Sequence, residues 1–251
     1  FTWMWPHLSR AQGLVFSFEN DALYFPGPTD RYYTNGLRLQ HWLKPSENIQ
    51  WNVALQHRMY NGLKNTDPTP IPGDRPYTST LLLRAERIQW SEVKGTQLSL
   101  GSSVGVMGAE AQGGELQNGI HALLENNTEA YGWDRQLRSM PIVQIEAERQ
   151  HIIGNDFWAL AGRYGTDVGT ILTSVHGGAT AYIGMVDNPL SPRTKDQTYV
   201  RAKIGMQASA VLYDATLLGS PFINDPQAID RELMNIGRLH GQVGLESQIK
   251  G

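Results

Sequence analysis

His121 lies in the stretch "GAEAQGGELQNGIHALLENNTEAYGWDRQL". There Leu116, Ile120, Leu123 and Leu124 recur at helical spacing over residues 115–126. Gln117 and Asn118 precede the histidine by one helical turn, so a helix presents all three toward the same surroundings. A histidine so placed can act as a general base near neutral pH, or it can be an ordinary packing side chain. A second cluster occurs in "SFENDALYFPGPTDRYYTNGLRL". Asn20 and Asp21 end one alternating stretch, and Thr34 and Asn35 open the next. Carboxylate and amide oxygens at a strand end suit calcium, and the same residue types also suit turns. The chain has no twelve-residue calcium loop, so a calcium site would have to be assembled from distant segments.

Other motifs carry less. "GSSVG" (residues 101–105) has the form of a serine nucleophile elbow, but Ser103 sits within an alternating strand rather than at a strand-to-helix turn. "PGDRPYTS" (residues 72–79) places Asp74 and Arg75 where a loop returns to a strand. Arg75 with Lys64 can grip a phosphate, or Asp74 and Arg75 can close the loop. The remaining histidines form no metal-binding pattern such as His-Glu-x-x-His.

The elements that must position these residues are strands. No apolar run approaches the roughly 20 residues of a membrane-spanning helix. Instead, period-two alternation recurs in about ten segments, longer than ordinary soluble strands. Val200, Ala202, Ile204, Met206, Ala208, Ala210 and Leu212 share one face, and Arg201, Lys203, Gln207, Ser209 and Tyr213 share the other. Leu55 against Gln56, Val104 against Ser103 and Ile145 against Glu146 repeat the pattern.

Connections rich in Pro, Gly, Asn and Asp separate consecutive segments, which implies antiparallel strands in chain order. The polar faces carry long side chains of mixed sign among small residues, as a narrow hydrated lumen requires. The apolar faces suit lipid, so the expected fold is an all-β, antiparallel outer-membrane barrel rather than a soluble lipocalin-like barrel. It spans residues 1–251 as one domain, with a loop helix near 111–126. Trp42, Trp51, Trp90 and Tyr199 are expected in interfacial girdles. A second helix is expected from Asp225, in "DPQAIDRELMNIG", bounded by Asp-Pro and Gly237.

Composition bounds the chemistry. The 251 residues contain no cysteine, which removes disulfides, thiolate metal sites and a cysteine nucleophile. A net charge of −3 gives no reason to bind nucleic acid. No targeting segment is visible, so a signal peptide is expected to have been removed.

Taken in order, "FENDALY", "DRYYTNGLRL", "GDRPYTS", "LQNGIHALL" and "GWDRQL" resemble the lipid A 3-O-deacylase (LpxR-like) family of Gram-negative outer membranes. The resemblance covers residues 14–137 in motifs and the remainder as a strand pattern. It implies a barrel of about twelve strands, with an active site between the barrel wall and a helix from an extracellular loop. The chain ends "GLESQIKG" without an aromatic closing strand, so one or two strands are expected to be missing from it.

By the same resemblance, His121 is the catalytic base, Asn20 and Asp21 the active-site pair that binds Ca2+, Thr34 the motif threonine, and Gln117 and Asn118 helix residues beside the histidine. Glu125 or Glu129 would supply an acidic group nearby. The implied reaction is calcium-dependent hydrolysis of ester-linked acyl chains at the 3-position of lipid A in lipopolysaccharide, by water that His121 activates. Arg75 and Lys64 are the candidate phosphate contacts. The competing reading is a barrel of the same shape without catalysis, acting as a passive pore or surface structural protein.

Overall fold

The computed structural model describes residues 13–20, 33, 35–63, 69, 71–91, 94–123, 130–155, 157–184 and 199–248, with backbone alone for residues 19, 20, 199 and 246–248. Ten strands form one sheet in chain order, every neighbouring pair antiparallel. They are β1 (Gly13–Asn20), β2 (Asn35–Trp42), β3 (Ile49–Tyr60), β4 (Thr78–Ser91), β5 (Thr96–Met107), β6 (Met140–Gly154), β7 (Trp158–Gly169), β8 (Leu172–Gly184), β9 (Tyr199–Asp214) and β10 (Gly237–Gln248). Among the described residues no helix is long and apolar enough to cross a membrane.

The two faces divide as the alternation demands. Leu55, Val104, Ile145, Ile204 and Val243 are exposed, whereas Gln40, Asn52, Gln144 and Arg201 are buried. In water that division would be inverted. It is stable where the outer face meets hydrocarbon and the inner face meets paired polar groups.

The inner face encloses a cavity of about 440 Å³ lined by side chains from β2 through β10, so the sheet curls around it. Arg84 of β4 is held by Glu146 of β6 and by Glu86, and Glu86 also accepts from Asn52 Nδ2 (2.9 Å) and from Ser99 Oγ. His176 sits between Glu148 (3.2 Å) and Asp167 (3.5 Å). Arg75, just before β4, reaches across the interior to donate to Thr216 Oγ1, 141 residues away (2.6 Å).

Trp42, Ile88 and Trp90 pack together with Val15 at the opposite end of the cavity. The expectation of a Trp42/Trp90 girdle is therefore corrected. Both have the parity of the inward residues on their strands and are almost fully buried. Trp51, one residue out of phase with them, is exposed, as is Trp158. The Tyr199 side chain lies outside the described residues.

The long connections 61–77, 108–139 and 215–236 emerge from one end of the sheet. They carry two helices, α1 (Gly113–Leu123) and α2 (Ala215–Leu218). The helix expected from Asp225 does not form; a single 3-10 turn, Arg231–Leu233, stands there. Asp225 does not cap a helix. Its Oδ2 accepts from the Arg138 amide (2.6 Å) and its Oδ1 from the Gln227 amide (3.0 Å), tying this loop to the one between β5 and β6. A thirteen-residue window is too short to nucleate a helix on its own, so these tertiary bonds decide its conformation.

Because Leu55 is half exposed at the middle of β3, Leu55→Arg should lower stability in a bilayer by about 2–4 kcal/mol, the cost of a cation near the midplane. Denaturant titration of protein folded into vesicles measures it; a change below 1 kcal/mol would place this face away from lipid.

Candidate functional site on the outer wall

At the loop end the outward face turns polar. The register aligns Asn20 with Asn35, Asn35 with Met59 and Met59 with Ser79, one transverse row across β1 to β4. Asn35, Met59 and Ser79 share the outward parity of Leu39, Leu55 and Leu83, which are exposed, yet these three are buried. The loop between β5 and β6 covers two of them: Ser79 bonds to Gly108 and Gly113, and Met59 packs against Ala130 and Trp133.

Helix α1 is fastened to that row. The Ser79 hydroxyl accepts from the amide of Gly113 (3.1 Å), supplying from another strand the cap that the helix sequence lacks. One turn upstream, His57 Nε2 donates to the Ala111 carbonyl (2.8 Å). Gln117 is buried, and its Oε1 accepts both Asn61 Nδ2 (3.1 Å) and Trp133 Nε1 (2.8 Å). Asn118 Oδ1 accepts the Ala130 amide (3.0 Å). Met59, Tyr77, Ala130 and Trp133 form an apolar cluster against which Leu116 packs.

An eleven-residue helix beginning Gly-Gly is marginal in isolation, so these contacts hold it. They also explain the glycines: a Cβ on Gly113 would lie 2.5 Å from both Ser79 and Trp133.

His121 stands one turn beyond Gln117 on the same helical face and is half-buried. Ile120 beside it is half-buried, and Leu123 is 84% exposed. The structure thus places Gln117 and His121 on the helix fastened over Ser79, and Ser79 in the same ladder row as the backbone of Asn20. Asp21, Thr34, Lys64, Glu125, Glu129 and the Asn20 side chain lie outside the described residues.

Arg75 is not part of this region. Its guanidinium stacks 4.5 Å over Tyr60 and faces the lumen, behind the wall, while Asp74 accepts the amides of Leu63 (2.6 Å) and Arg75 (2.8 Å) and closes the loop. Asn61, Ser79 and Trp133 were not legible as site residues. Asn61 reads as turn chemistry, and nothing in the chain announces that Ser79 caps a helix 34 residues away.

Among the described residues no three His, Asp or Glu side chains cluster as metal ligands. The row nevertheless fits a hard cation. Asn35 Oδ1 is buried without a hydrogen-bond partner, directly across the ladder from Asn20, and an unpaired amide oxygen is the donor type calcium takes.

These features define a class, an outer-membrane antiparallel barrel with a candidate site on the outside of its wall where a loop helix is fastened to it. The sequence pattern of the family described as "Outer membrane protein LpxR" matches residues 4–245, and the chain belongs to that family. Membership makes it a protein of the outer membrane and supports a function in modifying lipid A. Among solved structures, LpxR from Salmonella typhimurium has a similar fold, with a TM-score of 0.76 at 21% identity over 92% of this chain and 87% of that one. No curated protein matches the sequence.

Replacing Gln117 by Leu removes the acceptor shared by Asn61 and Trp133 and leaves two buried donors unpaired, a loss of about 1–3 kcal/mol each at most. Hydrogen exchange in α1 should accelerate while the β3–β6 ladder stays protected. Unchanged protection in α1 would show that the helix is held elsewhere.

Proposed function

We propose that this chain removes ester-linked acyl chains from the 3-position of lipid A, with His121 as the general base for an attacking water and a calcium ion as charge stabiliser. One observation carries the reading: Met59 and Ser79, on the lipid-facing wall and in ladder register with Asn35 and Asn20, are buried beneath the loop whose helix bears His121 on the same face as the clamped Gln117. Polar groups in that position are costly to maintain in a membrane unless they are used or covered; α1 covers Ser79, and the buried Asn35 Oδ1 is left for a ligand. The exposed Leu123 extends an apolar surface past His121, which suits an acyl chain arriving laterally from the outer leaflet.

Asn20 and Asp21, with the unpaired Asn35 Oδ1, would hold the cation. When bound it supplies positive charge where the ester oxygen becomes an oxyanion. The protein's own contributions are distinct. Gln117 fixes the helix, so that the imidazole one turn on keeps its position; His121 accepts the proton of water as it attacks; Thr34, the motif threonine by resemblance, would orient the polar end of the site. With no cysteine and no serine elbow, water is the available nucleophile. A phosphate contact from Lys64 remains part of this proposal. Arg75 serves it from behind the wall by holding the loop between β3 and β4.

The alternative, a passive pore, is disfavoured by the packing of the interior. Trp42, Ile88 and Trp90 pack together at one end, and ion pairs cross the middle and narrow the lumen to a cavity of about 440 Å³.

His121→Gln should reduce release of 3-linked acyl chains from purified lipid A by at least about 100-fold, read by mass spectrometry, with heat-modifiable gel migration unchanged. Chelation of calcium should do the same to the native protein. Full deacylation by the folded variant would refute the base, and full deacylation in chelator would remove the ion while leaving the hydrolase.

A further inference from the structure

The lumen contains a second polar site, on the opposite face of the wall from α1. At its loop end three guanidinium groups line the same cavity: Arg38 on β2, Arg58 on β3 and Arg75 before β4. None of them is bonded to a carboxylate among the described residues. Arg38 is 9% exposed, and its Nε has no hydrogen-bond partner. Arg58 lies against the Gln56 amide, whose oxygen accepts from Nε (3.0 Å) and Nη2 (2.8 Å). Arg75 donates from Nη2 to Thr216 and stacks on Tyr60, and its Nε also lacks a partner.

The neighbouring acids are already engaged. Glu86 and Glu146 hold Arg84. Asp214 takes Arg238 on Oδ2 (2.9 Å) and Thr216 on Oδ1 (2.6 Å). Asp74 spends both oxygens on backbone amides. Glu19 pairs with Gly36 on the ladder, and its side chain lies outside the described residues.

Six arginines and five carboxylates line the cavity, and the three arginines that are bonded to none of those carboxylates leave its loop end in excess of positive charge, which forms a site for an anion. Guanidinium forks match the tetrahedral oxygens of phosphate better than they match a spherical halide. We propose that the loop-end half of the lumen binds a phosphate group of a soluble compound, gripped by Arg38 and Arg58 with Arg75 completing the cradle. The cavity of about 440 Å³ runs on from the loop end as far as Trp42 and Gln150, so a group attached to the phosphate has space to extend along the lumen. Strand alternation keeps this ligand apart from lipid substrate on the outer wall, because inward and outward side chains cannot share a pocket.

Detergent-solubilised wild-type protein, titrated calorimetrically at constant ionic strength balanced with chloride, tests it. Inorganic phosphate in one arm and a hexose phosphate in the other should include at least one ligand that binds saturably at one site per chain. Binding of inorganic phosphate identifies the free anion as sufficient, and binding of the hexose phosphate alone identifies an organophosphate. The folded double variant Arg38→Gln/Arg58→Gln should bind at least tenfold more weakly. If that variant does not fold, phenylglyoxal labelling of wild-type Arg38 and Arg58, followed by mass spectrometry, takes its place; the bound ligand must slow it at least threefold. Absence of saturable binding in both arms, wild-type affinity in the double variant, or labelling indifferent to ligand would each overturn the proposal.

Discussion

Hydrocarbon offers no partner to a polar group, and the rest of this structure is arranged around that constraint. Along most of the sheet it is met by alternation, with Leu, Val and Ile outward and Gln, Arg and Glu inward. At the loop end of β1 to β4 it is broken. Asn20, Asn35 and Ser79 take outward strand positions, and the buried Ser79 requires a cover that brings its own hydrogen bonds. Helix α1 is that cover. Its amide meets Ser79, its Gln117 meets Asn61, and the preceding turn meets His57. The site is thus a defect in the lipid-facing pattern, repaired by a loop.

The repair also explains the residues that stiffen the loop. Trp133 both donates to Gln117 and packs over Gly113 and Gly114, so one side chain fixes the rotation and the height of the helix. Gly132, just before it, has φ +127 and would place a Cβ against the Tyr77 ring, so glycine is required for Trp133 to reach the cluster. Beyond Trp133 the Leu137 amide donates to the Tyr77 carbonyl (2.9 Å), and the Arg138 amide meets Asp225. Three loops are therefore tied together around the site, and a histidine on α1 inherits their rigidity.

The strands and their two faces were legible because alternation is a local property: each residue reports its own face, and register follows from chain order. The helix bearing His121 was legible for the same reason, through Leu116 and Ile120. What escaped depended on parity or distance. Trp42 and Trp90 look like girdle residues by type, and only their phase relative to Gln40 and Ile88 sends them inward. The window after Asp225 carries helix boundaries, but its aspartate is consumed by Arg138 and Gln227 from outside any helix. Arg75 reads equally as a phosphate contact or a loop clasp, and only the ring of Tyr60 beneath it shows that it faces the lumen. The resemblance supplied roles for Asn20, Asp21 and Thr34; the register supplied what the motifs alone do not, the alignment of Asn20 with Asn35 at the head of the buried row.

A single strand wall consequently carries two unlike environments a few ångströms apart. On β3, Met59 lies under α1 in an apolar cluster, while its neighbours Arg58 and Tyr60 line the charged lumen. The outer row is therefore reached without opening the lumen, and the ion pairs inside are free to hold the barrel rigid. Arg84 with Glu146, and His176 with its two carboxylates, brace the interior against which the outer row is held. Rigidity behind the wall and hydrogen bonds in front fix the backbone of α1, so the position from which His121 projects is set by the strands and loops together and not by the helix alone.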